Sequence, residues 1–402
     1  MSKATEYVAG KAVALEGDMV VAEAMRQINP DVVAAYPITP QTEIVQTFSE
    51  FVANGEVDTD FIAVESEHAA LSACVGASAA GARALTATCG AGLALMWEIL
   101  WCASGLRLPI VMAVVNRSLS APLNILTDNT DMMAARDAGW VQLYSENHQE
   151  VYDNAIQAVR IAEHPDVVLP AMHGLAGFVL GHTVGRVEIL PDEVVKEFIG
   201  SYKPQHSLLD VANPATFGAY DHWDYFFEHK RQQWQGMEEA LRVIVEVGEE
   251  YGKLTGRRYG LVEGYELDDA EVAIVIIGSA AGAARVAIDR LRSRGAKVGM
   301  LKLRTFRPFP AEAVAEALKG KQLVAIMERS SCFGSETAPV FTEVCTALAV
   351  RGLPVRMVDY IYGLGGRDTV PEQIVGLFNE VLAMAESESI APTRRYLALR
   401  DY

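Results

Sequence analysis

The sequence predicts an α/β fold built on parallel sheets, and three observations point to it. Short apolar runs of strand length alternate with amphipathic stretches over residues 18–172. A second series of the same kind opens at EVAIVIIGSAAGAARVAIDRLRSRGAKVGMLKL, residues 271–303. Turns rich in proline or glycine, such as YPITP and CGAG, punctuate the joints. Strands that return in the same direction by way of a helix form parallel sheets covered on both faces.

Each element has its own local reason. DMVVAEAMRQI (18–28) has helical spacing, and VVAAY (32–36) reads as a buried strand. A helix opened by Pro40 follows, with Ile44, Val45, Phe48 and Phe51 on one face. FIAV (61–64) is a strand and EHAALSACVGASAAGA a small-residue helix. ALTAT (84–88) leads to a helix over 92–105, and PIVMAVV (109–115) is the next strand. VQLYS, a helix near 149–163 and a strand VVLPAM (167–172) complete the series. Between about 183 and 260 the alternation stops, and an aromatic-rich, irregular extension is expected. The domain boundary is placed near 255–268, giving domains of 1–255 and 256–402.

Composition narrows the function classes. Of the 402 residues, 50% are hydrophobic and 21% charged, which suits a globular chain. The 52 Asp+Glu against 34 Lys+Arg give −18, the wrong sign for a nucleic acid or an anionic membrane as main partner. The five cysteines, Cys74, Cys89, Cys102, Cys332 and Cys345, are scattered and contain no C-x-x-C pair. They read as reduced thiols of a cytoplasmic chain, with no local ligand set for zinc or an iron–sulfur cluster. The opening MSKATEYVAGKAVALEG lacks the apolar core of a signal peptide, and the longest apolar runs are short for a bilayer span.

Open parallel sheets bind ligands beyond the C-terminal ends of their strands. Those ends carry Tyr36-Pro37-Ile38-Thr39-Pro40, Glu65-Ser66-Glu67-His68, Cys89-Gly90-Ala91-Gly92 and Asn116-Arg117-Ser118. One edge thus offers a hydroxyl, a carboxylate, a glycine turn and a guanidinium. Each also has a plainer role. Thr39 and Pro40 fit an N-cap and first helical residue, and Glu65 or Glu67 suits a helix N-terminus. CGAG can be a packing turn, and Arg117 an ordinary surface arginine. Their coincidence at one edge favours a site.

YPITPQTEIVQTFSEFV, VESEHAALSACVGASAAGARALTAT, GLALMWEILWCASGLRLPIVMAVVNRSLSAP and MAARDAGW resemble the α subunit of pyruvate-type 2-oxoacid:ferredoxin oxidoreductases. LKLRTFRPFP, IMERSSCFGS and YGLGGRD are similar too, so the resemblance runs through nearly the whole chain. It implies a thiamine diphosphate-binding fold of the pyrimidine type, followed by a transketolase C-terminal-like α/β domain. It also implies a cytoplasmic enzyme that decarboxylates a 2-oxoacid oxidatively, with coenzyme A, and passes electrons to ferredoxin. A β subunit would hold the diphosphate, its Mg2+ and a 4Fe–4S cluster. A γ subunit and a ferredoxin-like δ subunit would complete a dimer of heteromers. The chain has no Gly-Asp-Gly diphosphate motif and no cluster cysteines, as half of a shared site should.

Residue by residue, the resemblance places Glu67 on the aminopyrimidine ring, with Thr39 and Gly92 beside the cofactor. It places Arg117 on the substrate carboxylate, where a guanidinium can grip both oxygens. Thr39, Pro40 and Asn129 would line the same substrate. Relatives commonly show Ser-Ser-Gln-Gly in place of Cys89-Gly90-Ala91-Gly92, and Gly-Asp-His in place of Thr127-Asp128-Asn129. They tend to show Asn-Leu-Asp-Gly where His173-Gly174-Leu175-Ala176-Gly177 stands. The smaller residues predict a wider, less polar pocket, which makes a branched or aromatic 2-oxoacid a candidate beside pyruvate.

Overall fold

The computed structural model describes residues 8–387 and 392–400; residues 1–7, part of the stretch read for a signal peptide, lie outside them. The chain begins with β1 (Lys11–Glu16), α1 (Gly17–Ile28), β2 (Val32–Ala35), α2 (Thr42–Ala53), β3 (Asp60–Ala63) and α3 (Glu67–Ala79). Next come β4 (Ala84–Thr88), α4 (Gly90–Leu95), α5 (Trp97–Gly105), β5 (Val111–Asn116) and α6 (Thr130–Ala134). They are followed by β6 (Val141–Tyr144), α7 (His148–Ala162), β7 (Ala171–Ala176), β8 (Val184–Ile189), α8 (Asp192–Ile199) and α9 (Phe226–Thr255). The second series holds β9 (Val262–Tyr265), β10 (Val272–Ile277), α10 (Ala280–Arg292), β11 (Val298–Leu303) and β12 (Thr305–Arg307). It ends with α11 (Ala311–Leu318), β13 (Leu323–Glu328), α12 (Pro339–Val350), β14 (Arg356–Ile361), α13 (Pro371–Ala385) and β15 (Arg394–Tyr396).

Two sheets result. One runs β12-β6-β7-β5-β4-β2-β3 and the other β15-β14-β13-β10-β11-β9. Within these two larger sheets all neighbours pair in parallel except the edge strands β12 and β9. The central strands β5 (VMAVVN) and β10 (VAIVII) are buried at every residue, as strands covered on both faces must be. β12 leaves the second sheet two residues after β11 and joins the edge of the first, at β6. Trp140 and Tyr144 accordingly share one apolar core with Phe306, Val340 and Phe341.

Four local expectations change. Helix α2 begins at Thr42 with Gln41 at its cap, so Thr39 and Pro40 belong to the preceding turn and do not start the helix. The helix expected over 92–105 is two, α4 and α5, which meet at Met96 where ψ falls to −1°. The strand expected at 167–172 lies at 171–176, because Val168 adopts a left-handed φ of 42° and Ala171 pairs with Val111. The stretch 183–260 is irregular only in part, since it holds β8, α8 and the 30-residue helix α9.

Candidate active site

The neighbouring strands β5, β4, β2 and β3 deliver their C-terminal loops to one edge. At the end of β3, Ser66 caps α3, its hydroxyl accepting from the Ala69 N–H. Glu67 is then the first helical residue and is 6% exposed, whereas Glu65 precedes the helix and faces solvent. The helix N-terminus favours the Glu67 carboxylate over a neutral side chain.

The turn after β4 is shaped around two charged side chains. A Cβ on Gly92 would lie 2.7 Å from Glu67 Oε1 and 2.5 Å from Thr88 Oγ1, so only glycine admits the carboxylate here. The Thr88 hydroxyl beside it is buried and has no hydrogen-bond partner among the described residues. Two residues earlier, a Cβ on Gly90 would lie 3.0–3.1 Å from Arg117 Cβ, Cγ and Cδ, and Gly90 has φ +41°. Two glycines two residues apart in one turn therefore make room for the Glu67 and Arg117 side chains.

Arg117 is 7% exposed, which overturns its plainer reading as a surface arginine. Its Nη1 donates to the Thr39 carbonyl at 2.9 Å and its Nε to the Asn124 carbonyl at 3.4 Å. The Cys89 thiol donates to the same Thr39 carbonyl at 3.1 Å. Burial, then the charge of Asp131, pushes that thiol up to about 12, so Cys89 is a neutral donor. The contact from Thr39 to Arg117 thus runs through its backbone oxygen, and the residue itself is exposed. Pro40 is buried, and a Cβ on Gly177 would meet its Cγ at 2.8 Å.

Asp131 organises the turn from behind and was not anticipated from the sequence. Its Oδ2 accepts the backbone N–H of Gly90 at 3.0 Å and of Arg117 at 2.9 Å. Its Oδ1 accepts from Asn116 Nδ2 at 2.9 Å and the Met132 N–H at 2.8 Å. Burial raises its pKa to about 6 against the pull of the Arg117, Asn116 and Met132 donors. In the sequence it looks like any acidic residue in the first turn of a short helix.

Asn129 is buried one step away, its N–H donating to the Arg329 carbonyl at 2.7 Å. Neighbouring Asp128 accepts from Ser118 Oγ at 2.6 Å and the Gly365 N–H at 3.3 Å, and Asn124 Nδ2 donates to the Gly365 carbonyl at 3.1 Å. The loop behind Arg117 is thereby fastened to the second sheet. Around the site, large apolar side chains face outward: Leu95, Trp97, Trp101, Leu123, Ile125 and Leu126.

Comparison with known proteins gives a consistent picture. Residues 23–249 match the family described as pyruvate flavodoxin/ferredoxin oxidoreductase, thiamine diphosphate-binding. Residues 270–374 match the pyruvate:ferredoxin oxidoreductase core domain II. The chain is 51% identical to pyruvate synthase subunit PorA of Thermotoga maritima, over 97% of this chain and 98% of that one. It is 46% identical to PorA of Methanocaldococcus jannaschii over 93% and 96%, and 43% identical to ketoisovalerate oxidoreductase subunit VorA of Pyrococcus abyssi over 93% and 94%. A 2-oxoglutarate:ferredoxin oxidoreductase from Magnetococcus marinus shares the fold, with a TM-score of 0.74 at 19% identity, over 93% of this chain and 66% of that one.

Proposed function

This chain belongs to the pyruvate flavodoxin/ferredoxin oxidoreductase family, and we propose that, assembled with partner chains, it provides the pyrimidine-side half of a thiamine diphosphate site. The complex would oxidatively decarboxylate a 2-oxoacid with coenzyme A and hand the electrons to ferredoxin. One observation carries this reading: the β4–α4 turn seats a buried carboxylate on Gly92 and a buried guanidinium on Gly90. The cofactor's ring suits the Glu67 end, where a carboxylate and the unpartnered Thr88 hydroxyl meet a glycine with no side chain to exclude it.

Thiamine diphosphate, when bound, supplies the nucleophilic carbon and the electron sink that 2-oxoacid decarboxylation needs. Glu67 presents a carboxylate oxygen at Gly92, where it would exchange a proton with a weak ring base. Arg117 orients the acid by its carboxylate, its own position fixed through Nη1 on the Thr39 carbonyl and through the Asp131 bond to its N–H. Thr39 presents its exposed side chain at the same edge, with Pro40 and Asn129 lining it. Buried donors and water exclusion protect the reacting centre.

A β chain with the diphosphate, Mg2+ and 4Fe–4S machinery fits against the apolar rim of Leu95, Trp97, Trp101 and Leu123, which this chain leaves outward. Pyruvate is the proposed substrate. The space expected at Gly90 is taken by Arg117, and the relatives named for pyruvate are more similar than those named for ketoisovalerate.

The test is Glu67→Gln in the purified complex, with pyruvate, coenzyme A and ferredoxin. The expected result is at least a 100-fold loss of kcat with iron content and subunit ratio unchanged. Activity within threefold of wild type would remove Glu67, and with it the shared-site reading.

A further inference from the structure

Apart from the Glu67–Arg117 turn, three metal-ligating side chains meet where α1, α2 and the turn after β7 converge. Asp18 lies in the first turn of α1, Glu43 in the first turn of α2, and His182 follows the β7 turn. Their ligand atoms all fall within 4.8 Å of one another. His182 Nδ1 is 3.8 Å from Asp18 Oδ2, and Nε2 is 3.4 Å from Glu43 Oε2.

Asp18 supplies the second, independent observation. It is 0% exposed, and neither carboxylate oxygen has a hydrogen-bond partner among the described residues; nor does His182 Nδ1. The turn is built to bring the groups together, since the Gly17 and Asp18 N–H groups donate to the carbonyls of Leu180 and Gly181. A Cβ on Gly181 would lie 2.8 Å from Asp18 Oδ1.

A carboxylate withdrawn from water with no donor is costly unless something neutralises it. Arg26, further along α1, is engaged by Glu23 and Asp192. A direct imidazolium–carboxylate bond would draw nitrogen and oxygen to roughly 2.7–2.9 Å, and both separations here are longer. Donors around a tetrahedral ion with bonds of about 2.0–2.2 Å stand roughly 3.4 Å apart; one imidazole nitrogen and one oxygen of each carboxylate, all within 4.8 Å of one another, need only close in slightly to share an ion.

We propose that Asp18, Glu43 and His182 bind one divalent cation of the zinc class, with water completing its coordination. Two carboxylates and one imidazole suit a borderline metal better than an all-oxygen Mg2+ site. The ion joins the start of α2 to the turn that packs on Pro40, so it braces the Thr39–Pro40 segment against the sheet. This site is independent of the thiamine assignment.

The experiment takes the purified complex, strips it with chelator, dialyses it against Zn2+ and counts zinc per chain by mass spectrometry. One equivalent is expected in wild type. Zn2+ affinity against a competing chelator should fall at least tenfold in Asp18→Asn, Glu43→Gln and His182→Gln. Glu43 is partly exposed, so its variant reads ligation without disturbing the core. Amide exchange over residues 36–44 should slow with Zn2+ in wild type only. Wild type that holds no zinc, or Glu43→Gln and His182→Gln that bind it equally well, would overturn the site.

Discussion

Glu65 and Glu67 are two residues apart, yet the chain distinguishes them sharply. Ser66 caps the helix, so Glu65 remains outside in solvent while Glu67 turns inward against Gly92. The consequence for Gly92→Ala is direct. Its methyl would occupy space within 2.7 Å of Glu67 Oε1, so the carboxylate must move. Steady-state assays should show at least a tenfold loss in kcat, with the complex still assembled. Arg117→Lys should be equally informative, because a point charge cannot bond the Thr39 carbonyl and also grip a carboxylate in two places. A loss of about 2–3 kcal/mol of transition-state stabilisation is expected, read as roughly a 30- to 150-fold fall in kcat/KM for pyruvate. Both side chains were legible in the sequence because each stands just after an apolar strand run. The part played by the Thr39 backbone oxygen was not, since the sequence draws attention to the hydroxyl.

The elements that carry these residues follow the alternating pattern closely, and their departures have physical causes. VVLP at 167–170 is as apolar as any strand, but Val168 takes a left-handed φ, and pairing with β5 sets the register from Ala171 onward. Hydrophobic content marks a strand without fixing where its ladder starts. The short helix α6 illustrates the opposite limit. Its Asp131 gathers donors from Gly90, 41 residues away, and from Asn116 and Arg117, 15 and 14 residues away. No local pattern encodes that convergence. Asp131→Asn would turn an amide N–H2 toward N–H donors, leaving at least one buried donor unmet. It should cost about 1–3 kcal/mol in urea unfolding and lower kcat/KM, through displacement of the β4–α4 turn.

Over the whole molecule, the two sheets are locked by buried charge as well as by the shared apolar core. Lys302, on β11, meets Glu146 at 2.7 Å and Glu150 at 2.5 Å across the interface, and Glu263 at 2.7 Å. Lys302→Met would leave the buried Glu150 without its cation and Glu146 with Arg285 alone, a change expected to destabilise by about 3–5 kcal/mol in denaturant unfolding. Glu328 works the other way, because it is better placed as a neutral acid. It lies at the end of β13, accepts from Ser330 Oγ at 2.5 Å and the Val340 N–H at 2.7 Å, and is wholly buried near Asp359. Burial raises its pKa from the ordinary 4.5 to about 8. The folded chain therefore binds this proton more tightly than the unfolded chain does. Its contribution is complete below the unfolded value and is lost as pH rises through the folded one. Stability should fall from about pH 5 to pH 8 by on the order of 4 kcal/mol from this group, read as a falling thermal midpoint of the complex. Glu328→Gln keeps both contacts, the amide oxygen on Val340 and the N–H2 on Ser330, without a titrating proton. The variant should match wild type near pH 5 and exceed it at pH 8. A wild-type midpoint that is flat over this range, or one that falls equally in the variant, would show that Glu328 is not the group responsible.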